Sequence, residues 1–293
     1  MTEANESQPL RLLTVTAHPH DVTYTLGTSA HHIERGDSVT VVSLSDGVTT
    51  HDEELEDEMR KPASERRAEI LQRPRSEQAI RKQGELEGVC ALFGIEDARV
   101  LPFPDNPLEP SSSKILSELT DVLHEIRPHI VITHAPYNYP YKNMTSLWDN
   151  DHSLAGQLVA RAMQRAAQAD AGRGRSPLHV AQVYYIGAEF GWTDIDLFVD
   201  ISDQVARRIE AEALYETQGH TSEFSRKRIE AFAGYHGWFG RTGYAEAFIR
   251  ERAQTSDYLT VTPNDLSSAT QTGRETLDRI GQFESGRADG DAR

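Results

Sequence analysis

Leu12, Leu13 and Val15 form an apolar run that stops at Ala17 and empties into His18, Pro19, His20 and Asp21, before Leu26 and Gly27 resume an apolar segment. A short apolar, β-branched run followed at once by polar residues reads as a buried strand ending in a loop. Thr28 to Arg35 then reads as the remainder of a helix, Gly36 as its C-terminal cap, and Ser38 to Leu44 as a second strand. Strand, helix, glycine turn and strand make a βαβ unit, which implies a parallel pair with a right-handed crossover. In such sheets ligands bind beyond the carboxyl ends of the strands, where His18 to Asp21 lie and where Asp46 ends the second strand.

The pattern continues in the same alternation. Ala79 to Leu92 carries Ile80, Leu86, Val89 and Leu92 at helical spacing, Arg99 to Phe103 is a short strand, and Asp105 lies in the Pro-rich loop after it. Ile115 to Ile126 is an amphipathic helix, and His129 to Thr133 is a strand ending in His134. A Tyr-, Asn- and Pro-rich loop delivers Asp149, Asn150, Asp151 and His152 at the start of a helix read over Leu154 to Ala169. Val180 to Ile186 and Asp196 to Ile201 are strands, Gln204 to Tyr215 a helix, and Ser225 to Arg250 closing helical and aromatic material. The Gly172 to Ser176 stretch is a surface turn.

Two segments break the alternation. Residues 51 to 78 hold an acidic cluster and then a basic one, punctuated by Pro62 and Pro74, and read as a helix-containing excursion at the cleft edge, either a lid or a solvated ion-paired face. Beyond about residue 254 the chain turns to Thr, Ser, Asp and Gly. The expected organisation is therefore one α/β domain over residues 1–253 and a loosely attached tail over 254–293.

Composition narrows the partners. With 46 acidic against 30 basic residues in a chain of 293, the formal charge of -16 argues against a nucleic-acid phosphate track or an anionic membrane surface. No run approaches the roughly 20 apolar residues that span a bilayer, and the N-terminus lacks a signal pattern. The expectation is a cytoplasmic protein without nucleic-acid partner or membrane insertion; homo-oligomerisation stays open. The one cysteine, Cys90, sits in an apolar stretch and excludes a disulfide framework or a cysteine-rich zinc site.

Brought to one sheet edge, His18, Asp21 and His152 make a two-histidine, one-carboxylate set with room for water. Such a set suits zinc, which can lower the pKa of a bound water to about 7. His20 and Asp149 remain for proton transfer and orientation. Dinucleotide and P-loop signatures are absent, as is the GxSxG elbow.

These stretches, AHPHD with Leu26-Gly27-Thr28, Thr133-His134, Asp149 to His152 and Tyr244 to Phe248, resemble the LmbE-like or PIG-L-type zinc-dependent N-deacetylases in matching order over roughly residues 11–250. The resemblance implies a Rossmann-like, mostly parallel α/β sheet flanked by helices. It also implies hydrolysis of an acyl group, usually acetyl, from an N-acetylglucosamine-type sugar or sugar conjugate. His18, Asp21 and His152 carry over as ligands for zinc or another divalent ion. Asp151 matches the internal Asp of the second motif, while Asp105 and Arg81 match substrate-contacting positions. Two proton-handling positions depart from the pattern: His20 stands where the family has Asp, and Asp149 where it has His. Either His20 is the base with Asp149 as its orienter, or Asp149 is the base and His20 faces the oxyanion. A metal- or ligand-binding protein without deacetylase chemistry and an amidase for a different substrate are the alternatives.

Overall fold

In the computed structural model the structure describes residues 8–138 and 150–281. A 7-stranded sheet runs in the order β3-β2-β1-β4-β5-β7-β6. Its strands are β1 (Arg11–Thr16), β2 (Ser38–Ser45), β3 (Asp97–Phe103), β4 (Ile130–Thr133), β5 (Gln182–Ile186), β6 (Leu197–Asp200) and β7 (Ala245–Arg250). The first five are mutually parallel, and β7 runs antiparallel between β5 and β6. This is the expected Rossmann-like, mostly parallel α/β sheet.

Both faces of the sheet are covered, which is why its inner strands are apolar without alternation. On one face Leu13, Val15, Val42, Leu44 and Val131 pack with α5 (Ser113–Ile126) and α6 (Asp151–Ala166) through Leu119, Leu123, Leu154 and Leu158. On the other, Leu12, Val41 and Ile132 meet α1 (Leu26–Glu34), α4 (Arg75–Leu92) and α7 (Val205–Ala213) through Leu26, Leu86, Val89 and Ala211. Successive residues of one strand thus serve opposite layers. Cys90 is buried in the second layer, as its apolar neighbours suggest. Between the two cores the order 2-1-4 reverses direction at β1 and β4, and the crevice beyond their carboxyl ends is where such a sheet takes ligands.

Two readings of the chain need correction. Within the Ser225 to Arg250 segment only α8 (Ser222–Gly240) is helical, and Ala245–Arg250 is the strand β7, not closing helical material. Ala and Glu are weak strand formers, and here pairing on both sides decides. Glu246 on β7 is buried and accepts the Gly27 and Thr28 amides at 2.9 and 2.8 Å, satisfying the first donors of α1, while Arg208 donates to it at 3.0 Å. The second correction is in α4, which starts at Arg75 rather than Ala79. Its inward line is Gln78, Lys82, Leu86 and Val89, and Ile80 is 71% exposed.

The 51–78 excursion contains α2 (Glu53–Arg60) and α3 (Ala68–Leu71), tied by ion pairs such as Arg73 to Asp52 and Glu54. After residue 254 the chain forms two short capped helices, α9 (Pro263–Thr270) and α10 (Gly273–Ile280), with no buried side chain in either. No described helix is long and apolar enough to cross a membrane.

Candidate metal centre

His18 follows β1 and opens a tight 3-10 turn over Pro19–Thr25, so its backbone N–H has no partner in the strand or turn. Asp21, three residues on, accepts that N–H at 2.8 Å, and this local capping bond brings its carboxylate back beside the His18 ring. His152 comes from the first turn of α6, whose start is capped by Asn150. Gly156 allows that helix to lie against the loop after β4, since a Cβ there would stand 2.4 Å from the His134 carbonyl oxygen. The close approach stacks His152 on His134, their centroids 4.1 Å apart.

The three ligand candidates converge. One donor atom from each of His18, Asp21 and His152 lies within 4.8 Å of the other two. Asp21 Oδ1 is 3.4 Å from His152 Nε2, and Oδ2 is 3.5 Å from His18 Nδ1 and 3.2 Å from His134 Nε2. Behind each histidine stands a carboxylate. Asp151 Oδ2 is 3.0 Å from His18 Nε2, and Glu189, on the loop after β5, reaches His152 Nδ1 at 3.2 Å. Asp151 is itself pinned by the Asn106 and Leu108 amides at 2.8 and 2.6 Å. Carboxylates in this position select the tautomer that leaves the opposite nitrogen free to ligate.

The electrostatics centre on Asp21. Burial works to raise its pKa, but His152, His134 and His18 outweigh it and hold the carboxyl well below its ordinary range. Burial likewise opposes charge on His18, yet Asp151 and Asp21 lift it to about 9. His152 is raised well above its ordinary value by Asp21 and Glu189 against the same burial penalty. His134, fully buried and next to His152, is lowered and neutral. The pocket therefore favours positive charge on either side of Asp21, the charge a divalent ion would bring instead.

The remaining sequence candidates fall at different places. Asp105 is buried near His18 and Asp151, accepting the Thr50 and Thr49 amides at 2.7 and 3.3 Å and facing Arg75 at 3.3 Å, so it pins the loop after β2 to the site. Asp46 also pairs with Arg75, at 2.8 Å. Arg81 turns outward to Gln78 and Glu54. His20 is not joined to the metal group by any hydrogen bond among the described residues; its Nε2 meets Glu212 at 2.8 Å. Asp149 lies outside the described residues.

Three residues near the site escaped the list of candidates. His134 had a signal, a polar side chain at a strand end, and Glu189 follows β5 in the same way. Lys82 is buried on α4, and neither its Nζ nor Nε2 of Gln78 one turn earlier has a hydrogen-bond partner among the described residues. Desolvation depresses its pKa, against the charges of Glu85, Glu53, Asp52 and Asp105. Helical spacing of apolar residues could not reveal it.

The family described as PIG-L: GlcNAc-PI de-N-acetylase matches residues 13–163, a span that holds His18, Asp21, His134, Asp151 and His152. A 1D-myo-inositol 2-acetamido-2-deoxy-alpha-D-glucopyranoside deacetylase of Mycobacterium sp. (strain JLS) is 26% identical over 247 residues, covering 71% of this chain and 74% of the relative. Among solved structures, the 4-carboxy-2-hydroxymuconate hydratase GalB of Pseudomonas putida superposes with a TM-score of 0.66 at 22% identity, over 86% of this chain and 100% of that one. The N,N'-diacetylchitobiose deacetylase of Pyrococcus horikoshii gives a TM-score of 0.65 at 18% identity, over 85% and 86%. A hydratase and a deacetylase share this fold, so the fold alone does not choose the reaction.

Proposed function

The chain belongs to the PIG-L family of GlcNAc-PI de-N-acetylases, and from that premise we propose that it is a zinc-dependent amide hydrolase removing an acyl group, acetyl above all, from an N-acetylglucosamine-type sugar or sugar conjugate. The observation that carries this reading is the convergence of His18, Asp21 and His152 donor atoms at the sheet's switch point, with a carboxylate behind each imidazole. Two histidines and a carboxylate fit zinc in a catalytic setting. A zinc ion held there supplies Lewis acidity, polarising an acyl carbonyl and making water a better nucleophile at neutral pH.

The protein's own groups do the rest. Asp151 fixes His18 with Nδ1 toward Asp21, and Glu189 fixes His152 with Nε2 toward it. His134 is neutral and its Nε2 meets Asp21 at 3.2 Å, which helps to hold that carboxylate between the two histidines. The overall change adds water across the C–N bond, giving a carboxylate and a protonated amine, so one group must take a proton from water and return it to the leaving nitrogen. His20 Nε2 is engaged by Glu212 at 2.8 Å, and we assign the base to Asp149.

Acetate release from a panel of N-acetylated sugars and conjugates tests the proposal. Activity should vanish on chelation and return with zinc. Full zinc occupancy without release from any substrate would instead favour the metal-binding protein or an amidase of different specificity.

Metal affinity should depend steeply on pH. Because His18 titrates near 9 and His152 well above its ordinary value, an ion must displace their protons. Apparent affinity should therefore rise from pH 6 and level off for His18 above about 9. The sign for the chelated protein is opposite. Raised histidine pKa values stabilise the fold below the unfolded value of 6.5, and that contribution is lost as pH passes through about 9. Thermal denaturation of chelated and zinc-loaded protein across this range reads both; a chelated form that gains stability over it would contradict the assignment.

A further inference from the structure

His20 lies between two metal-ligand candidates in sequence, yet its side chain belongs to a second polar cluster. Its Nε2 is 2.8 Å from Glu212 Oε1 on α7. His220, in the turn before α8, brings Nδ1 to 3.3 Å from the same oxygen, and the His20 and His220 rings are 4.9 Å apart. One ligand atom from each of His20, Glu212 and His220 lies within 4.8 Å of the other two.

Glu212 is fully buried and ionised: burial would raise its pKa, but His20, Arg228 and His220 bring it down to about 2. Its second oxygen, Oε2, has no hydrogen-bond partner among the described residues. A buried carboxylate oxygen without a partner is costly and calls for an occupant. Burial pushes His220 down to about 4, so this ring is neutral and able to ligate at ordinary pH.

The cluster also holds a resident cation. Arg228 Nη1 donates to Oε1 at 2.7 Å and approaches His20 Nε2 at 3.4 Å, while Nη2 donates to Tyr24 Oη at 2.6 Å. His220 Nδ1 additionally faces the Glu212 backbone oxygen at 3.1 Å. Arg228 thus shares Oε1 with the two imidazoles, and Oε2 is left.

We propose that His20, Glu212 and His220 form a second divalent-cation site, separate from the His18, Asp21 and His152 centre, at which a zinc-like ion competes with Arg228 for the Glu212 carboxylate. Two imidazoles and one carboxylate are the ligand types that zinc and cobalt accept. Bound there, the ion fastens the Pro19–Thr25 turn to α7 and to the segment before α8. The histidine at position 20 is then a ligand that an aspartate beside Glu212 would replace at the cost of like-charge repulsion.

The test counts metal and needs no substrate. Chelated protein is dialysed against zinc or cobalt and the bound ion is measured per chain, with the cobalt absorption spectrum as a second readout. Wild type should take up two ions. His220→Ala and the milder His220→Gln should retain one, and His18→Ala should retain the other. Arg228→Met, which removes the competing cation, should tighten the weaker site by about tenfold or more, roughly 1.4 kcal/mol. One ion in both wild type and Arg228→Met overturns the proposal, as do two ions in both His220 variants. Loss of hydrolysis with both ions bound would count against the proposed reaction and leave this site standing.

Discussion

Asp21→Asn is expected to remove nearly all hydrolytic activity together with the first bound metal ion, while the chain still folds. The substitution is isosteric. The amide oxygen can go on accepting the His18 N–H, the bond of 2.8 Å that shapes the turn after β1. What disappears is the negative charge that faces His152 at 3.4 Å and His18 at 3.5 Å. Removing a residue that stands behind a ligand typically costs roughly 10–100-fold in metal affinity or activity. Asp151→Asn, which loosens His18 without touching the ion, should fall in that range, and Asp21→Asn should exceed it clearly. Metal content and acetate release measured on the two variants give the order. Equal losses, or a full complement of zinc in Asp21→Asn, would mean that Asp21 shapes the turn and does not ligate.

How far the chain could be read from its residues follows from how local each signal is. The βαβ start is legible because Leu12, Leu13, Val39, Val41, Val42 and Leu44 are buried on both faces of the sheet and leave continuous apolar runs. His18 and Asp21 are legible because a single capping turn holds both. The strand β7 is not, because Ala245, Glu246 and Ala247 become a strand through β5 and β6 and through the bonds of Glu246 to Gly27 and Thr28, more than two hundred positions away. The reading of the buried face of α4 failed for a related reason. Ile80 marks an apolar face that the helix does not use, while Lys82, polar and buried, carries no periodic signal. The partners of His20 are equally remote in sequence, at 212, 220 and 228, so its residue type suggested proton chemistry without revealing the cluster it joins.

That contrast makes the two departures from the family pattern separable. Asp149→Asn should lower kcat by about 10²–10⁴, the usual worth of a positioned general base, with little change in KM or zinc content. His20→Gln should lower it far less and act mainly on the cluster around Glu212, since Gln keeps a donor for the carboxylate that His20 now meets at 2.8 Å. If the two positions had merely exchanged functions, the double variant His20→Asp with Asp149→His would recover activity beyond either single change. We expect no such recovery. An aspartate at position 20 would stand beside the ionised Glu212, where Arg228 is already engaged, and like charges in a buried setting disfavour one another. Single-turnover rates at several pH values distinguish the cases. A loss in His20→Gln as large as that in Asp149→Asn, with folding and zinc content intact, would return the base to His20 and make Glu212 its orienter.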